Sequence, residues 1–126
     1  MTEERTPHEA RTQPGMRDVP KNLKPYFLGL LKRGPRWNEM DGPEAAELLP
    51  RHLAYLRRQA EAGLYVAAGP VLREGALTGV LVIAAASEAE AAAMAQNDPG
   101  VRAGCLAVEI LPVLLPSLDS VRAVYP

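Results

Sequence analysis

The sequence predicts one α+β domain built on an antiparallel sheet. Three observations carry that reading. Four short apolar segments have strand length and turn-forming residues at their ends. Two longer segments repeat their apolar residues at helical spacing or are rich in alanine. The order is β-α-β-β-α-β, with the middle two strands joined by a polar reversal short enough for a hairpin. A chain of 126 residues, 48% of them hydrophobic, is the size of one domain.

The first strand covers residues 26–31, an apolar run between Pro25 and the Gly34-Pro35 step. Residues 34–43 form a loop that carries the only tryptophan, Trp37. The first helix follows over residues 44–62, with Leu49, Leu53, Leu56 and Ala60 as its buried stripe. Pro50 inside it predicts a kink or a restart. Gly63 followed by Leu64 predicts a C-cap with glycine in the left-handed conformation. The second strand covers residues 64–72, interrupted by Gly69-Pro70, and the third covers residues 80–86. Ser87 and Glu90 have the spacing of a capping box at the start of an alanine-rich helix over residues 88–96. Asp98-Pro99 opens a short turn, and the fourth strand covers residues 106–113. The whole is the ferredoxin-like pattern. Residues 1–24, polar and rich in Pro, Arg and Glu, read as a flexible arm, with Met16 a second candidate start. Residues 25–113 are the domain, and residues 114–126 are a C-terminal tail.

A sheet with helices on one face and water on the other alternates apolar and polar residues. The first and third strands carry no charged residue on either face. A bare apolar face of that size is rare in soluble monomers. The sequence therefore predicts a homodimer packed through the open sheet face; so short a tail folded across it would cover too little area.

Composition excludes several classes of function. The net charge is −1, the basic residues are scattered, and one Phe with one Trp makes no platform for stacking bases, so nucleic acid is not an expected partner. No apolar run is long enough to span a membrane. A single cysteine, Cys105, excludes an internal disulfide, and no Cys/His spacing suits a metal. With no apolar leader, a cytoplasmic location is expected. Nucleotide-binding loops and hydrolase or zinc-protease signatures are missing from the sequence.

A small set of residues can carry chemistry. His52 lies beside the leucine stripe of the first helix, at the seam between helix and sheet, with Tyr55 continuing the same flank. An imidazole there can move protons near neutral pH, or simply bond a backbone carbonyl. Asp98 is suited to cap the turn that Pro99 opens, and can serve a partner as well only if one oxygen stays free. Trp37 is a plug or a pocket wall, and Arg33 and Arg36 beside it are able to bind an anion, although loop arginines ordinarily face solvent. Gly69-Pro70 allows close approach of chain or ligand and ends the ladder. Cys105 reads as a small core residue, and His8 in the arm has no assigned role.

The segments FLGLLKRGPRW, RHLAYLRRQAEAG, LYVAAGPVL and SEAEAAAMAQNDPGVRAG together resemble the YciI-like (YCII-related) family, over about residues 26–113. The resemblance implies a dimeric α+β barrel. It also implies that a helix histidine and the aspartate of the Asp-Pro step, here His52 and Asp98, meet as a pair in a pocket. One branch of that family dehydrochlorinates chlorinated hydroxyhydroquinones, and the wider superfamily includes muconolactone isomerases. The fourth strand departs from many relatives, with Val113 where an aromatic residue follows the proline. The expected function is a lyase- or isomerase-type enzyme acting on a small cyclic or phenolic molecule, with His52 as acid or base and Asp98 orienting it. Arg33, Trp37, Tyr55, Gly69 and Pro70 would shape the substrate site. Such chemistry calls for no metal or organic cofactor. The alternative is a non-catalytic module that binds a small molecule or serves only assembly.

Overall fold

The computed structural model describes residues 20–125. Strand β1 spans Leu23–Arg33 and is followed by a 3-10 turn at Trp37–Glu39. Helix α1 spans Gly42–Glu61, β2 Tyr65–Pro70, β3 Leu77–Ile83, α2 Glu88–Gln96, α3 Pro99–Arg102 and β4 Leu106–Pro116. The strands form one antiparallel sheet in the order β2-β3-β1-β4. The fold is α+β and ferredoxin-like, as the order of segments predicts. No helix of the described residues is long and apolar enough to cross a membrane.

The β1–β4 ladder is longer than the apolar runs suggest. It extends from Leu23 opposite Pro116 to Arg33 opposite Leu106. It thus takes in the last residues of the expected arm and the first of the expected tail. Residues 1–19, with His8 and Met16, lie outside the described residues.

Register separates the two faces, because side chains directly opposite in a ladder share one. Leu31, Leu81 and Ile83 face the helices and form the core with Tyr55, Tyr65 and Ala91. Burying a leucine or isoleucine this fully contributes about 1.5–3 kcal/mol. The small Ala91 and Ala95 are the buried residues of α2, which lets that helix lie close to the sheet. On the other face stand Tyr26, Leu28 and Leu30, with Val80 and Val82 on β3 and Leu111 on β4. Its polar relief is an ion pair, Lys32 Nζ to Glu109 Oε1 at 2.6 Å.

Helix α1 is rotated from its expected setting. Leu48 and Tyr55 are its buried residues, whereas Leu49 is 58% exposed and Leu53 52%. Of the stripe predicted to face the core, Leu56 packs against it, whereas Leu49 and Leu53 face a cavity, and His52 and Tyr55 lie on the inner side. Nor does Pro50 restart the helix, which runs through it as one element of 20 residues. Proline has no N–H for the Ala46 carbonyl, so α1 lacks one internal bond there. The end of α1 follows expectation. Gly63 adopts φ 79°, its N–H donates to the Ala60 carbonyl and that of Leu64 to the Gln59 carbonyl. This is the Schellman pattern.

The cap of α2 is shifted by one residue from a reciprocal box. Glu90 N–H donates to Ser87 Oγ at 3.1 Å, but the Glu90 carboxylate accepts from Ala86 N rather than Ser87 N. The tail meets the open sheet face near the start of β1. Leu118 N–H donates to the Tyr26 hydroxyl at 2.8 Å, and Lys24 pairs with Asp119 at 3.2 Å. The hydrogen bond from Lys24 holds the Asp119 carboxyl below its ordinary range. Further on, Tyr125 reaches α1, where the Arg57 guanidinium lies 5.0 Å from its ring centre.

The Tyr65 hydroxyl is buried and has no hydrogen-bond partner among the described residues. Burial, and then the nearby Tyr55 and Asp98, push its ionisation upward. The neutral phenol is the form the fold accepts, so the associated stability is intact below about pH 10, the unfolded value. It falls as pH rises through the folded value. Tyr65→Phe is expected to stabilise the protein by about 1 kcal/mol at neutral pH, since it removes a desolvated hydroxyl without a partner. It should also flatten the alkaline loss. Urea melts at neutral pH and above pH 10 measure both effects; a destabilised variant would mean that the hydroxyl has a partner.

Candidate functional site

Two turns set the site. Asp98 ends the loop after α2 in an extended conformation, and its side chain accepts the Gly100 N–H at 2.7 Å, capping α3. Asp98 is 1% exposed, the one buried charged residue among those described. His52, in the third turn of α1, places Nδ1 at 2.7 Å from Asp98 Oδ2 and 2.9 Å from Oδ1. The capping role and the pairing role therefore coexist, with Oδ1 turned to the cap and Oδ2 to the ring.

A carboxylate has no proton to give, so the imidazole donates from Nδ1. In the neutral ring Nε2 is then the lone-pair nitrogen, and it lies away from Asp98. His52 is 14% exposed at its side chain, and it lines a cavity of about 730 Å³. Buried behind it, Asp98 fixes the tautomer and would stabilise an imidazolium.

The other predicted residues divide. Trp37, Gly69 and Pro70 line the cavity with His52. Arg33 does not; its guanidinium lies 5.2 Å from the Trp37 ring centre, stacked on the outer wall. Tyr55 does not either. Its hydroxyl donates to the Met94 carbonyl at 2.6 Å and its ring meets Tyr65 edge-on, so it braces α1 against α2 and the sheet. Desolvation raises the Tyr55 ionisation above its usual value. Arg36 is engaged with Glu39, Glu44 and the Ala103 carbonyl, which ties the Trp37 loop to the turn before β4.

Several cavity residues escape a sequence reading. Leu49 and Leu53 form part of its wall. Cys105, expected in the core, lines it too, with its thiol ionisation pushed up by burial. Tyr125 joins from the tail. A cavity-facing leucine and a core leucine leave the same helical periodicity, and no local signal marks a tail residue that closes a distant wall.

Fold and site together define a ferredoxin-like α+β protein with a part-buried His–Asp pair at the edge of an apolar cavity. The model of the YCII-related domain matches residues 26–114, nearly the whole sheet and all three helices, and the chain belongs to that family. Among solved structures it is similar to a 5-chloro-2-hydroxyhydroquinone dehydrochlorinase from Burkholderia phenoliruptrix in complex with 2,5-dihydroxybenzoquinone. The two are 24% identical with a TM-score of 0.48, over 71% of this chain and 91% of that chain. No curated protein matches.

Proposed function

We propose that this protein is a small enzyme of lyase or isomerase type, acting by proton transfer on a cyclic or phenolic substrate. His52 takes the proton at Nε2 and returns it, and Asp98 holds the ring and supports its positive charge. Trp37 and Pro70 form the walls against which the substrate lies. The chemistry uses no metal or organic cofactor. The observation that carries the reading is the 2.7 Å contact between His52 Nδ1 and a buried, capping Asp98, made where the ring enters the cavity.

A thermal-shift screen of phenols and cyclic enols, followed by turnover of the hits, tests it. Positioned acid–base groups contribute about 10²–10⁴-fold, so His52→Gln should lower turnover by that much while hits still bind. Hits recovered chemically intact from the native protein would refute catalysis and leave a binding module.

We further propose that the protein is a homodimer closed through the face of Leu28, Leu30, Val80 and Val82, and that it works in the cytoplasm. Two apolar faces of this kind are expected to pack as a symmetric pair, and the free Cys105 suits a reducing compartment. Val82→Lys is expected to halve the mass measured by sedimentation at micromolar concentration; a native monomer would end the assembly proposal and leave the site proposal intact.

A further inference from the structure

The site's contents can be specified beyond a small phenol, and the inference rests on the reading of His52 as the group that meets the substrate's polar atom. The cavity measures about 730 Å³. A cavity of about 150 Å³ suffices for benzene. A single ring against His52 would therefore leave most of the space unused. The walls are equally informative. No Lys, Arg, Asp or Glu lines the cavity among the described residues, and the arginines beside its walls are engaged, Arg33 over Trp37, Arg57 with Glu61 and over Tyr125, and Arg36 with two glutamates. An anionic tail would lose its hydration there without gaining a partner. The leucines Leu49 and Leu53 are more than half exposed yet belong to this wall, so they offer apolar area that only a ligand or another chain can cover.

We propose that the site takes an uncharged molecule with a large hydrocarbon body and one ionisable hydroxyl. The hydroxyl meets His52 Nε2, and the body runs along α1 past Leu49 and Leu53. A multi-ring or long-chain alkyl phenol has this chemistry. A lone hydroquinone-sized ring does not fill the site.

Calorimetric titration with phenol, para-ethylphenol, para-butylphenol and para-hexylphenol tests the assignment. Affinity should rise about fourfold for each methylene buried. Ending the chain in a carboxylate, as in para-hydroxyphenylpropionate, should cost at least tenfold against the neutral chain. Leu53→Ser, at a half-exposed position, should erase much of the hexyl gain. Affinity that is flat or falling beyond a single ring overturns the proposal, as does binding that improves on dilution of the protein, which would mean that a second copy covers this wall. The two readings fail separately. Chain-length gain, with the hits of the thermal-shift screen recovered chemically intact, refutes the catalytic reading alone. Turnover of single-ring phenols without chain-length gain refutes this one alone.

Discussion

Asp98→Asn is expected to keep its stability and lose most of the turnover, whereas Asp98→Ala is expected to lose stability as well as turnover. The difference follows from what each oxygen does. Oδ1 caps α3 through the Gly100 N–H, and an asparagine oxygen can do the same. Oδ2 receives the His52 Nδ1 hydrogen, and the asparagine amide there is a donor. Faced with a donor, Nδ1 must accept, which moves the ring hydrogen to Nε2. The nitrogen at the cavity then has no lone pair for a substrate proton. An analogous change in a Ser-His-Asp triad costs about 10⁴ in kcat, so a loss of about 10²–10⁴ is the expectation here. Stability should change by less than about 1 kcal/mol, because the cap persists. In Asp98→Ala the cap is lost, at about 1 kcal/mol, and the Nδ1 hydrogen is left without an acceptor beside the core, at about 1–3 kcal/mol. A total of about 2–4 kcal/mol corresponds to a fall in Tm on the order of 10 °C for a domain of this size. Urea melts and turnover of both variants supply the measurements. Equal stability loss in the two would show that the capping oxygen contributes nothing, and full activity in Asp98→Asn would show that the tautomer does not matter.

How far the sequence reveals this site depends on the range of the interactions involved. Local chemistry is legible. Gly63 signals its left-handed cap, Asp98-Pro99 signals a capped turn, and the alternation of segments signals the sheet order. The pairing of His52 with Asp98 spans 46 positions, and family resemblance points to it more strongly than helix position does. The rotation of α1 is not legible. Leucines at positions 49 and 53 repeat as core leucines do, yet they border a cavity half exposed while Leu48 and Tyr55 are buried. Tyr55 shows the consequence, since the rotation that exposes the leucines carries its ring away from the cavity and into contact with Tyr65. The outer ends of the ladder, at Leu23–Pro25 and Leu114–Pro116, are equally hidden, because Pro25 and Pro116 argue against strand locally and the pairing outweighs them.

Gly34→Ala is the substitution expected to damage the scaffold of the cavity most. Gly34 reads from sequence as loop punctuation, yet the structure packs two backbones against each other at this point. Its N–H donates to the Cys105 carbonyl at 2.8 Å, and Arg36 N–H donates to the Gly104 carbonyl at 2.8 Å. A Cβ on Gly34 would stand 2.4 Å from the Gly104 oxygen and 2.8 Å from the Leu106 carbonyl carbon and oxygen. These are backbone atoms at the entrance to β4, and no side-chain rotation relieves the overlap. Overpacking of this kind costs about 1–3 kcal/mol where side chains can yield, and the upper end or beyond is expected where they cannot. The loss also reaches the site, because the strained segment carries Trp37 on one side and Cys105 on the other, both in the cavity wall. Ligand affinity should therefore fall with stability. Gly69→Ala is the control. A Cβ there meets nothing within 4 Å, and glycine inside a strand carries an entropic cost that alanine reduces. That variant is expected to match or slightly exceed native stability. Denaturant melts of the two alanine variants decide the matter: a Gly34→Ala loss no larger than the Gly69→Ala change would mean that the backbone contact yields, and that the Trp37 loop is not held by it.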